Sequence, residues 1–283
     1  AEGALNTFYA YQNHGSEGAK GRQKLIMGPW VHGSFTPKAG DFHFPDNAAV
    51  RLMPGEGGKV DIVRWFDWCL KGRDTGVEKE PAVQYYLMGA LGEEGAPGNI
   101  WRTSEVWPPP HKKVKFYFYA DGTLRQTKPK EKGSGKTSKT FTYDPHNPVP
   151  TICGHNLGRP RPGSCDQRRI ESRPDVIVLT SDPLNEPLEI TGPVTVELFA
   201  SSSERDADFT AKLTDVYPDG RSMLILDGLV RARRRNSPTK DELLTPGKVY
   251  GLTIDLRSTS LVFNKGHRIR LVISSSNYPK FDV

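Results

Sequence analysis

Gln23-Lys24-Leu25-Ile26-Met27-Gly28-Pro29-Trp30-Val31-His32-Gly33 is the stretch on which the fold turns. Its first half is a short apolar run of strand character, and Gly-Pro ends it because proline has no N–H to give to a ladder. The following loop presents His32. A buried strand that stops at Gly-Pro and offers a histidine on its loop is suited to a general base, because imidazole titrates near neutral pH.

Upstream, Ala1, Ala4, Leu5 and Phe8 recur at helical spacing and Gly15 closes the run, so a helix opens the chain. Downstream, Ile62, Val63, Phe66, Cys69 and Leu70 predict a second helix, Val60 to Leu70, closed by Lys71-Gly72. Cys69 falls on its apolar face and is expected to be a buried thiol. Helix, strand, loop and helix fit the last segment of an α/β sheet.

Beyond residue 75 the period changes to two. Val83/Tyr85/Leu87, Val114/Phe116/Phe118, Val194/Val196/Leu198/Ala200, Phe209/Ala211/Leu213, Tyr250/Leu252/Ile254/Leu256 and Ile269/Leu271/Ile273 each alternate. Val176–Leu179 and Met223–Leu226 read as strands buried on both faces. Asp121-Gly122, Pro218-Asp219-Gly220 and Asn264-Lys265-Gly266 are turn signals between strands. This pattern predicts a β-sandwich, most simply a jelly roll. Lys128 to Thr140, rich in Lys, Gly and Ser, reads as a flexible surface loop.

The chain has 283 residues, 25% charged and 36% hydrophobic, with a formal net charge of +6. No apolar run approaches the roughly 18 residues that span a membrane, and no signal-peptide pattern opens the sequence. The densest basic cluster, Arg231, Arg233, Arg234 and Arg235, follows an apolar strand without interleaved aromatics. That reads as a solvated strand end and argues against a nucleic-acid partner. Cys153 and Cys165 bracket a Gly/Pro/Arg-rich loop. A disulfide there fits an oxidising, secreted or periplasmic setting, and two free thiols fit the spacing nearly as well. No Cys/His spacing matches a zinc site, so no metal is expected.

Leu25 to Gly33 resembles the histidine motif of the cocaine esterase/NonD hydrolases, a group that includes α-amino acid ester hydrolases and X-Pro dipeptidyl peptidases. Trp65-Phe66-Asp67-Trp68-Cys69-Leu70-Lys71-Gly72 is similar to the helix that follows in that family. Tyr143-Asp144-Pro145-His146-Asn147-Pro148, Asp166-Gln167-Arg168, Thr180-Ser181-Asp182-Pro183-Leu184, Asp206-Ala207-Asp208-Phe209 and Lys265-Gly266-His267-Arg268 continue the likeness in order.

The resemblance implies an α/β-hydrolase domain, a helical cap and a C-terminal jelly roll of the galactose-binding-like type. It also implies a Ser-His-Asp triad that cleaves esters or amides without metal or organic cofactor. In that fold the triad runs Ser, Asp or Glu, then His along the chain. Only His32 carries over. No serine sits in a G-x-S-x-G elbow; Gly220-Arg221-Ser222 is half a match, with Leu224 where the second glycine belongs. In that family the triad acid precedes the opening helix, so it would lie just before Ala1, and Glu2 is the nearest acid still present.

The expectation is therefore an α/β-hydrolase C-terminal remnant over 1–75 followed by an all-β jelly roll over 76–283. The N-terminal hydrolase half, with nucleophile and acid, would be missing, and the chain alone inactive. Its partner would be a small acyl ester or amide, with no nucleic acid and no membrane. Trp30 either walls an acyl pocket or packs in the core. His43 reads as a loop residue, Asp166-Gln167-Arg168 as a salt bridge or cap, or as facing the active-site side, and His267 as structural. The competing reading is a non-catalytic sugar- or ligand-binding module, with Trp101 and Trp107 as exposed stacking platforms.

Overall fold

A computed structural model of the chain describes residues 2–34, 36–49, 62–129 and 138–282. The elements in chain order are α1 (Glu2–His14), β1 (Leu25–Met27), β2 (Lys38–Ala39), β3 (Phe42–His43), α2 (Ile62–Lys71), β4 (Val83–Leu87) and β5 (Ile100–Ser104). Then come β6 (Tyr117–Phe118), β7 (Thr123–Arg125), α3 (Arg168–Glu171), β8 (Ile177–Ser181), β9 (Leu188–Ala200), β10 (Asp208–Val216), β11 (Ser222–Arg231), β12 (Tyr250–Phe263) and β13 (Arg268–Ser274).

The chain is mostly β-sheet with few helices. A six-stranded sheet, in the order β11-β10-β13-β8-β7-β6, faces the long β12-β9 pair. Their shared core takes one face of each strand: Phe209, Ala211 and Leu213 from β10, Leu271 and Ile273 from β13, Leu252, Ile254 and Leu256 from β12, and Val196 from β9. Burying each such large side chain contributes about 1.5–3 kcal/mol, which makes this layer the main source of stability. Between Leu213 and Thr214 the β10–β11 register shifts, leaving Ile225 as the extra residue of a bulge.

The strand Val83/Tyr85/Leu87 does not join this sandwich. β4 pairs in parallel with β1, Leu25 opposite Val83, and antiparallel with β5. Val83 and Tyr85 pack with Leu5, Phe8 and Leu25, so α1 closes over this small sheet. Met88 then reaches β12, its N–H donating to the Ser260 carbonyl at 3.0 Å while the Val262 N–H donates to its own carbonyl at 2.9 Å.

Three expectations need correction. The strand predicted over Val114–Phe118 shrinks to Tyr117–Phe118, because Val114 stays exposed and its neighbours find no ladder partner among the described residues. Cys69 is an exposed free thiol. The periodicity of α2 is real, but none of its residues is buried; Ile62, Val63, Phe66 and Leu70 all face outward. Trp101 and Trp107 are half-buried rather than exposed, each packed against β4. The α2 helix ends at a left-handed Gly72, and Val60 and Asp61 of its predicted start lie outside the described residues. So do residues 130–137 of the predicted surface loop.

Candidate active site

β1 ends at Met27, and Gly28 follows because nothing larger fits: a Cβ there would lie 2.3 Å from the Trp30 ring. Trp30 anchors the loop by donating its Nε1–H to the Ala48 carbonyl at 2.7 Å. Val31 and Ser34 then bridge, the Ser34 N–H donating to the Val31 carbonyl at 3.1 Å, and Gly33 adopts φ +72°. His32 sits at the apex of this tight turn and is exposed. Among the described residues no carboxylate pairs with its ring. Glu2 does not reach it; one Glu2 oxygen is buried without a hydrogen-bond partner.

An aromatic stack braces the loop from below. Trp30 lies 5.8 Å from Trp101, Trp101 5.5 Å from Tyr86, and Tyr86 5.9 Å from Phe44, measured between ring centres. The Trp101 Nε1–H and the Tyr86 hydroxyl both donate to Asn47, at 2.7 and 3.0 Å. Burial pushes the Tyr86 hydroxyl up to about 12, so it stays a donor. Trp30 is thus a structural brace, and Trp101 and Trp107 are committed to packing against Tyr86 and Tyr85.

The β2–β3 hairpin leans on a disulfide loop. Cys153 and Cys165 are bonded, with Cα atoms 5.8 Å apart. At the loop waist, Gly154 and Gly163 exchange N–H···O bonds at 2.9 and 3.0 Å. Ser164 takes the hairpin turn: its N–H donates to Ala39 O at 3.2 Å and its carbonyl accepts from Asp41 N–H at 2.7 Å. Arg161 adds a bond to Asp41 Oδ1 at 2.8 Å and another to the Gly40 carbonyl.

A shallow cleft of about 440 Å³ opens at this seam, lined by Phe42, His43, Leu91, Asp166, Arg221 and Met223 among others. His43 is therefore an exposed cleft residue, separate from the His32 turn. Asp166 is spent on Arg168, 2.6 Å away, and on the N–H groups of Arg168 and Ser222. These bonds outweigh desolvation and hold its carboxyl below the usual range. Gln167 is fully buried and donates to the carbonyls of Ile152 and Cys165.

Two buried charge clusters escaped the sequence reading. His267, fully buried, joins Asp215 through Nδ1 at 2.8 Å and Glu93 through Nε2 at 2.9 Å. Burial alone would lower its pKa, but the two carboxylates raise it above the ordinary value. The second cluster centres on Asp227, which meets His155 at 3.3 Å and Lys280 at 2.5 Å. Burial works to raise that carboxyl's pKa, and the His155 and Lys280 contacts more than offset it. Lys212, opposite Asp227 in the ladder, is brought down to about 8 by burial. Little in the sequence signals this, because Lys212 alternates with Asp208, Thr210 and Thr214 on the face of β10 opposite Phe209, Ala211 and Leu213, a pattern that reads as solvated.

The Arg231–Arg235 run is neutralised in place. Arg231 binds Asp208 with two bonds of 2.9 Å, and Arg233, Arg234 and Arg235 face Asp206, Asp241 and Glu242. Among the described residues no cluster of His, Cys, Asp and Glu could hold a metal ion, and no helix is long and apolar enough to cross a membrane.

Residues 75–283 match the family described as the X-Pro dipeptidyl-peptidase C-terminal non-catalytic domain. The chain belongs to that family. It corresponds to the C-terminal portion of hydrolases of the cocaine esterase/NonD group. It is 34% identical over 293 residues to a cocaine esterase of Rhodococcus sp. (strain MB1), covering 99% of this chain and 47% of that protein. An α-amino acid ester hydrolase superposes with a TM-score of 0.76 at 25% identity, over 98% of this chain and 46% of that one. An aminopeptidase from a marine sediment archaeon, Thaumarchaeota archaeon, does so with a TM-score of 0.75 at 27% identity, over 96% and 44%. The chain thus spans about half the length of the relatives it matches.

Proposed function

We propose that the chain is part of a serine hydrolase that cleaves acyl esters or amides through an acyl-enzyme, with His32 as general base. The carrying observation is the placement of His32, an exposed imidazole on a glycine-turned loop just past the end of a parallel-paired strand. In triad chemistry the histidine takes the serine proton during attack and returns it to the leaving group, with a carboxylate fixing its tautomer. Serine nucleophile and acid come from residues outside this chain, so the chain alone is inactive. Relatives named for an ester and an amino-acid ester, and one named as an aminopeptidase, support the substrate class. We assign residues 1–75 to the end of the α/β-hydrolase domain and 76–283 to the jelly-roll region, whose first strands β4 and β5 pair back onto β1 instead of joining the sandwich.

The test is His32→Ala in the longer protein that contains this chain, assayed on a chromogenic acyl ester. We expect kcat to fall by about 10⁴-fold or more with unchanged circular dichroism. Activity within tenfold of the parent would sink the assignment.

A further inference from the structure

We propose that the Cys153–Cys165 loop is a clasp that positions the His32 turn, with Arg161 as its adjustable contact. The catalytic consequence rests on the reading of His32 given above; the clasp itself does not.

β2 and β3 contribute two residues each and form a sheet of their own, too small to hold its shape unaided. Two main-chain ties from Ser164 and two side-chain bonds from Arg161 fix its turn to the rest of the chain. Two glycines make that approach feasible, and a third lets the loop lie against Asp227 of the sandwich. A Cβ on Gly40 would stand 2.1 Å from the Ser164 carbonyl, one on Gly163 would stand 2.2 Å from the Gly40 nitrogen, and one on Gly154 would press on the Asp227 carboxylate at 3.1 Å. All three have positive φ, so each site needs glycine on two counts.

The loop is held on its far side by the sandwich. The Leu224 N–H of β11 donates to the Cys165 carbonyl at 3.1 Å, and His155 pairs with buried Asp227. The 161–165 leg carries both the hairpin ties and, at Cys165, a sandwich tie. The disulfide and the Gly154–Gly163 bonds join it to the 153–155 leg, which His155 anchors on Asp227, so the whole loop moves as one. From the hairpin the connection continues inward. Phe42, Phe44 and Ala48 pack in one cluster with Val31, and Ala48 holds the Trp30 indole by its carbonyl. Val31 and Trp30 are the two residues immediately before His32. The fixed sandwich thereby sets the height and angle of the His32 turn through one short relay.

The experiment compares the parent chain with Cys153→Ser/Cys165→Ser, Arg161→Ala and Arg161→Lys, by amide hydrogen exchange resolved to peptides. We expect the double variant to exchange about tenfold faster over residues 28–44, and Arg161→Ala about threefold faster, with protection in β10 to β13 unchanged. Arg161→Lys, which keeps the bond to Asp41 but loses the two-pronged fork, should recover part of the protection. Unchanged exchange over 28–44 in the Arg161→Ala chain overturns the clasp, and that arm stands even if the double variant does not fold. In the longer protein the same Arg161→Ala change should lower kcat several-fold at constant KM. Faster exchange with unaltered kcat, in a protein that His32→Ala inactivates, overturns the positioning role. An active His32→Ala enzyme defeats the general-base reading instead, leaving the exchange result to decide the clasp.

Discussion

Phe263 and Leu70 are both large apolar side chains in regular secondary structure, yet Phe263 is 1% exposed and Leu70 75%. Phe263 ends β12, inside the layer shared by two sheets; Leu70 lies on α2, whose apolar side none of the described residues covers. The two regions obey the same local rules of patterning. They differ in whether a second surface answers the first. Periodicity tells which residues share a face; it says nothing of what, if anything, covers that face.

Phe263→Ala should therefore give the largest loss, about 3–5 kcal/mol in a urea titration, from lost burial and the cavity left behind. His267→Gln comes next, at about 3 kcal/mol near pH 6, because it leaves the buried Asp215 without its charged partner. The folded pKa of His267 is raised above 6.5. Its stabilisation is therefore complete below that value and is lost as pH rises through the folded pKa. The gap between parent and variant should narrow as pH rises above about 6.5 and through the folded pKa, and a gap independent of pH would mean a neutral ring. Leu70→Ala should change stability by less than about 0.5 kcal/mol, the usual range for an exposed site. If it costs as much as a core residue, something covers α2 in solution and the contrast between regions collapses. A milder probe is Phe66→Lys with Leu70→Lys, which should reduce self-association in light scattering while leaving the urea midpoint in place.

The sandwich was legible because alternation along β9, β10, β12 and β13 survives in one strand at a time, and turn glycines at 122, 220 and 266 all adopt positive φ. The partner of β4 was not legible. Its alternation predicts a strand and cannot say which sheet receives it, because pairing is a long-range choice. Cys69 misled for the related reason that helical spacing was read as burial. At the site, the Gly-Pro stop and the histidine loop could be read from eleven residues. The braces could not: Asn47, Tyr86, Arg161 and Ser164 are ordinary polar residues whose roles exist only through contacts 39 to 125 positions away.

β4 has one further consequence. Its Val83 and Tyr85 belong to the cluster under α1, its Tyr86 to the cluster under the His32 turn, and the Met88 that follows it is bonded to β12. A crossover at residue 75 between two homologues would leave β1 beside a β4 from the other parent, and a crossover after Ser104 would divide Met88 from β12. Neither junction exchanges a self-contained module. In shuffled libraries the His32 segment and the sandwich should therefore be inherited as a single block, with breakpoints inside it depleted among folded progeny.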